Sequence, residues 1–125
     1  MTAAPHSTGP LRRLQKRAQF LNAAKGRRAG RTGFALQAIE VETVEPGVGL
    51  TVTKKTGNSP ERNRIKRRLR AALRACGASL RPQHDYVLVG RREALTLPFS
   101  KVVSDLSSAI AKVHATARDV RTERP

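Results

Sequence analysis

Between Lys54 and Arg74 the sequence carries nine Lys or Arg residues against a single acid, Glu61. Guanidinium forks match the paired oxygens of a phosphate, and lysines add point charges, so this stretch has the chemistry to hold a polyanion. Residues 1–39 hold eight more basic side chains, Arg12, Arg13, Lys16, Arg17, Lys25, Arg27, Arg28 and Arg31, and no Asp or Glu. A charge run is ordinarily a solvated face, but here the acids that would pair with it are missing. Groups for covalent chemistry are scarce. His6, His84 and His114 stand far apart, with no Cys or carboxylate at ligand spacing, which speaks against a zinc site. Residues 53–58, Thr-Lys-Lys-Thr-Gly-Asn, are not a phosphate-cradling P-loop. Cys76 shares a helical stripe with apolar residues and reads as core rather than as a nucleophile. Phe20 and Phe34 offer stacking faces for an unpaired base, although Phe34 suits the core equally well.

These residues need elements to position them. Ile65, Leu69, Ala72, Leu73 and Cys76 recur at helical spacing, so a helix should run from the Ser59-Pro60 start to about Cys76 and stop at Gly77. Ser59 is the expected N-cap, with Glu61 complementing the helix dipole. At about 100° per residue, Asn63, Arg64, Arg67, Arg70 and Arg74 fall opposite the apolar stripe, with Lys66 and Arg68 on its flanks. Upstream, Leu14 to Ala24 reads as a short helix with Phe20, Leu21 and Ala24 on one face, and Lys25 to Gly33 as a loop. Phe34 to Glu42 alternates as a strand. Val48 to Lys54 alternates as a second, with Val48, Leu50 and Val52 toward a core and Gly49, Thr51 and Thr53 toward a small polar surface. The short link through Pro46-Gly47 predicts an antiparallel hairpin between them. Tyr86 to Val89 is apolar throughout and should be a central strand, and Pro98 should open a last helix with Phe99, Val102, Val103, Leu106, Ile110 and Val113 as its stripe.

The chain has 125 residues, of which 38% are apolar, enough for one modest core. The expected organisation is a disordered lead-in over 1–11, one domain over 12–115 and a frayed tail over 116–125. The class is α+β, a small mixed sheet packed by helices. Cys76 is the only cysteine, so no internal disulfide forms and a reducing cytoplasm is the default compartment. No apolar run reaches the roughly 18 residues of a membrane span. A net charge of +16 makes nucleic acid the leading partner.

The block Gly57-Asn58-Ser59-Pro60-Glu61-Arg62-Asn63-Arg64-Ile65-Lys66-Arg67-Arg68-Leu69-Arg70 closely resembles the RNR motif of the bacterial ribonuclease P protein subunit. The upstream strand from Val48 to Lys55 is similar to that family's strand at the family's spacing. Arg13-Leu14 before Phe20, the Phe34-Ala35-Leu36 strand, and Asp85-Tyr86 before an apolar strand match its other landmarks. The resemblance implies an α-β sandwich of order αβββαβα with a left-handed crossover joining the parallel strands. It implies a protein cofactor of the ribonuclease P catalytic RNA, in an endoribonuclease that hydrolyses one phosphodiester to remove the 5′ leader of precursor tRNA. The catalytic centre and its Mg²⁺ would lie in the RNA, with no catalytic residue or metal ligand in this chain, no membrane and no small-molecule substrate. By matching position, Arg62, Asn63, Arg64, Lys66, Arg67 and Arg70 are the RNR residues. Phe20, Phe34, Thr51, Thr53, Lys54 and Lys55 match the leader groove, with Asn58 at the motif's entry. Many relatives carry a further aromatic where this chain has Ala24 and another where it has Gln37, which shifts leader binding toward phosphate and hydrogen-bond contacts.

Overall fold

The computed structural model describes residues 11–115. The expected tail, and all of the expected lead-in but Leu11, lie outside these residues; Leu11 already packs against the core. Helix, three strands, helix, strand and helix follow one another, behind one short extra strand. The elements are β1 (Arg12–Arg13), α1 (Arg17–Ala24), β2 (Arg27–Gly30), β3 (Phe34–Glu40), β4 (Gly47–Thr51), α2 (Ser59–Ala75), β5 (His84–Gly90) and α3 (Phe99–Val113). Short 3-10 turns cover Lys54–Thr56, Gly77–Ser79 and Arg92–Leu95.

The five strands form one mixed sheet in the order β1-β4-β5-β3-β2. β4 and β5 are parallel neighbours and α2 is the connection between them, whereas β3 runs antiparallel to β5. Tyr86, Val87 and Leu88 are almost fully buried, which is why β5 takes the centre. That placement overturns the expected hairpin. β3 and β4 run in opposite directions, but β5 lies between them, and the 41–46 link passes Gln83 instead, with the Val41 N–H donating to the Gln83 carbonyl at 2.8 Å. The expected loop over Lys25–Gly33 is also corrected. Arg27–Gly30 is an edge strand paired with β3, whose Ala29 is buried while its arginines face solvent. A basic edge of this kind carries no alternating apolar signal, and it resists pairing with another chain.

Register builds the core. Leu50, Leu88, Leu36 and Ala29 form one row across β4, β5, β3 and β2. This face packs against Ile65, Leu69 and Leu73 of α2 and Val102, Leu106 and Ile110 of α3. The other face carries Val87 and is covered by Leu14, Phe20 and Ala23 around α1. Helix α1 begins three residues later than expected, and its face is Phe20 with Ala23, not Phe20 with Leu21 and Ala24; Leu21 is exposed. Phe99 likewise leaves the α3 stripe for solvent. β1 is locked to the sheet by a bridge from Arg12 Nη2 to Asp85 Oδ1 at 2.5 Å, and Asp85 is buried.

Candidate nucleic-acid interface

Helix α2 opens on a capping box. The Asn58 side chain accepts from the Glu61 N–H, and Glu61 Oε1 accepts from the Asn58 N–H, both at 2.9 Å. The cap is therefore Asn58 and not Ser59, which is the first helical residue and accepts from Arg62 Nη2 at 2.9 Å. Glu61 is also held by a two-armed Arg92: Nη2 donates to Oε2 at 2.8 Å and Nη1 to Oε1 at 3.1 Å. Arg92 Nη1 reaches the Thr56 carbonyl as well, so the turn carrying Lys54 and Lys55 is fastened to the start of α2. These bonds, first from Arg92 and then from the Asn58 backbone, lower the Glu61 pKa to about 2.

Beyond the cap, α2 presents two unlike sides. Ile65, Leu69, Ala72 and Leu73 are buried, and Cys76 closes the helix with its thiol pushed up by burial, as a core cysteine should be. On the outer side Asn63, Arg64, Arg67, Arg70 and Arg74 are all exposed, with no acid among them. Arg68 turns away from this face and donates to the Leu97 carbonyl.

Lys66, Arg70 and Arg74 follow one another at one turn each and form one wall of a groove of about 370 Å³. Arg13, Phe20 and the Val48–Leu50 strand form the rest, together with apolar Leu11, Leu14 and Leu73. Phe20 is half-buried and lies against Gly49. A Cβ at residue 49 would sit 2.8 Å from the ring carbons Cε2 and Cζ, so only glycine lets the ring close onto the strand. The groove is thus an aromatic floor beside a row of cations.

The structure brings Phe20, Lys66 and Arg70 together in this groove and places Arg62, Asn63, Arg64 and Arg67 outside it on α2. Phe34 is a correction: it is 1% exposed, inside the core on the α2 and α3 side of the sheet, and offers no stacking face. The strand's alternation put Phe34 in phase with Leu36 and Ala38, so the core side of that choice wins. Thr51, Thr53, Lys54 and Lys55 do not wall the cavity. β4 ends at Thr51, and the two lysines stand exposed on the following turn, leading from the groove's strand toward Asn58. Arg13 and Arg74 are groove residues outside the resembled motif. Arg74 was legible from its helical period, whereas Arg13 stood out only through the resemblance, because a two-residue strand with no alternation sets its direction.

A family model described as "Ribonuclease P" matches residues 10–114. The chain belongs to the ribonuclease P protein family. Its relatives include the ribonuclease P protein component of Brucella melitensis biotype 1, 41% identical over 126 residues that cover 90% of this chain and 89% of the relative. The ribonuclease P protein component of Ruegeria pomeroyi is 43% identical over 107 residues, covering 82% of this chain and 86% of its own. Among solved structures, the Staphylococcus aureus RNase P protein superposes with a TM-score of 0.69 at 26% identity, covering 82% of this chain and 97% of that one. The RNase P protein of Thermotoga maritima shares the fold with a TM-score of 0.72, at 23% identity and with 82% and 98% covered. Ribonuclease P is an endoribonuclease in which the RNA carries the catalytic role, and its protein component works with that RNA.

Proposed function

We propose that this chain binds the ribonuclease P catalytic RNA through the outer face of α2 and receives the 5′ leader of precursor tRNA in the adjoining groove. One observation carries the reading: an exposed, acid-free arginine face shares a helix with the cationic wall of a groove that contains an aromatic ring. Arg62, Asn63, Arg64 and Arg67 have the forks and amide to hold a structured RNA's phosphates and sugar edges. Lys66, Arg70 and Arg74, with Arg13 opposite, suit the backbone of a single strand, and Phe20 suits one of its bases. Thr51, Thr53, Lys54, Lys55 and Asn58 extend that path past the end of β4. Backbone contacts of this kind tolerate sequence, as a leader of varied sequence requires.

The protein's part in the reaction is positioning and screening. Two RNAs brought together repel through their phosphates, and a chain that offers cations to both lowers the concentration of free Mg²⁺ needed to do so. Mg²⁺ belongs to this reading as an ion held by the RNA. The described residues include no group of three or more His, Cys, Asp or Glu side chains that could hold a metal, so no step is assigned to a protein-bound ion. None of the described helices is long and apolar enough to cross a membrane; we place the reaction in the cytoplasm, where precursor tRNA is made. Reconstitution with the cognate RNA and precursor tRNA tests the whole. Leader removal at limiting Mg²⁺ should require the protein, and equal rates with and without it would overturn the reading.

A further inference from the structure

The groove and α2 do not use the arginines at the other edge of the sheet. Arg31, in the turn between β2 and β3, and Arg91, which follows β5, converge on a depression of about 430 Å³ lined also by Gly30, Thr32, Lys101 and Asp105. Both side chains are held in place. Arg31 donates from Nε to Ser108 Oγ at 3.1 Å and from Nη1 to the Gly30 carbonyl at 2.7 Å. Arg91 donates from Nη1 to the Arg31 carbonyl at 2.7 Å, while its own N–H is fixed on the Gly33 carbonyl at 2.9 Å. A guanidinium has five donors, so each fork keeps at least three for a ligand. The only acid in the depression, Asp105, is paired with Lys101 at 2.9 Å. The net charge left there is that of two oriented guanidiniums.

We propose that Arg31 and Arg91 form a second phosphate site, one that takes the ribose-phosphate backbone of RNA at a place separate from α2. Rigid, pre-aimed forks lose little rotamer freedom on binding, which favours a bidentate phosphate contact over a loose counterion cloud. The separation follows from the sheet order. Arg31 follows β2, three strand spacings or about 14 Å from β4, and neither Arg31 nor Arg91 lines the groove that α2 walls. One protein can then engage two segments of RNA and fix their relative position. The inference rests on the RNA-binding reading above and adds a site to it.

The test measures binding of the full chain to the catalytic RNA across a KCl series, for an Arg31→Gln/Arg91→Gln double variant and for Arg64→Ala/Arg67→Ala. The first should bind about tenfold or more weakly, and its plot of log K against log salt should flatten by about 0.7–0.9 for each phosphate no longer neutralised. An unchanged slope overturns the second site, even where affinity falls. If the α2 variant loses slope and the Arg31/Arg91 variant does not, the RNA-binding reading stands and this inference alone falls; if neither loses it, both fall. A second measurement does not depend on the double variant folding. A hydroxyl-radical reagent tethered through the exposed Thr32→Cys, in a chain whose own Cys76 is buried, should cut RNA in the assembled holoenzyme. Cuts in the catalytic RNA support the site, and their absence there overturns it.

Discussion

At the scale of single residues, Arg64 and Arg67, like Arg70 and Arg74, have no hydrogen-bond or ion-pair partner among the described residues, whereas Arg62 reaches Ser59 and Arg68 reaches Leu97. A side chain with no internal bond contributes little to the fold and is free to bind phosphate. Arg64→Ala/Arg67→Ala should therefore leave the melting temperature nearly unchanged while flattening the salt slope of RNA binding by about 0.7–0.9 for each phosphate left without its cation. An unaltered slope would mean that these guanidiniums do not meet phosphate. His114 behaves in the opposite way, as a group of the fold. Its Nε2 lies 2.6 Å from the Tyr86 hydroxyl, its ring is edge-on to His84 at 4.6 Å, and burial, then Arg81, His84 and Arg27, lowers its pKa to about 4. The free imidazole titrates near 6.5, so between the two values the unfolded chain binds more protons than the folded one. Stability is full above about pH 6.5 and falls as pH drops toward 4, by about 1–2 kcal/mol after discounting for partial exposure. Melting curves from pH 7.5 to 4 should show this fall, and His114→Ala should flatten it in that window. A variant with the wild-type pH dependence would assign the fall to other groups.

At the scale of elements, the close approach of α1 to β4 is what makes the groove, and Gly49 permits it. Gly49→Ala would put a methyl at 2.8 Å from the Phe20 ring. The ring is on a short helix that can move outward more easily than the sheet can bend, so the expected cost is about 1–3 kcal/mol, with Phe20 displaced. Thermal unfolding should register the cost, and leader-dependent binding should fall more than binding of mature tRNA. Equal losses on both would detach Phe20 from the leader. The same elements divide what the sequence could say from what it could not. The stripe Ile65, Leu69, Ala72 and Leu73 and the arginines opposite it were readable from period alone, because a helix repeats its facing every few residues. So was the central position of β5, whose residues are apolar on both sides. Strand adjacency was not readable: the Pro46-Gly47 link suits a hairpin locally, and it takes the demand of β5 for burial on two faces to separate β3 from β4. β1 and β2 escaped because two successive arginines, or Arg-Arg-Ala-Gly at an edge, carry no alternation to detect. Arg13 enters the groove through the pairing of β1 with β4, and Gly49 matters there through the approach of Phe20 on α1. Phe34 was ambiguous for a related reason, since an aromatic on a strand fits a groove or a core until the face it shares is known.

At the scale of the whole molecule, the chain has a net charge of +16 and three ion pairs among its described residues, Arg12–Asp85, Arg92–Glu61 and Lys101–Asp105. Two of the three have a largely exposed cation, and exposed pairs contribute little. The uncompensated charge therefore opposes compaction in the protein alone and favours it when RNA is present. These two effects respond to salt with opposite sign. The screening length shrinks from about 10 Å at 0.1 M to about 3 Å at 1 M, so the melting temperature of the free protein should climb as KCl rises from about 0.05 M toward 1 M. Bound catalytic RNA stabilises by linkage, about 2.7 kcal/mol when its concentration is 100 times Kd. That increment should shrink over the same range, because each phosphate bound releases counterions and Kd rises steeply with salt. The two melting curves, free and RNA-bound, should then converge at high salt from below and from above. A free protein whose melting temperature stays level or falls with KCl would show that its charges are already compensated within the fold. The basic surface would then not be held unpaired for RNA.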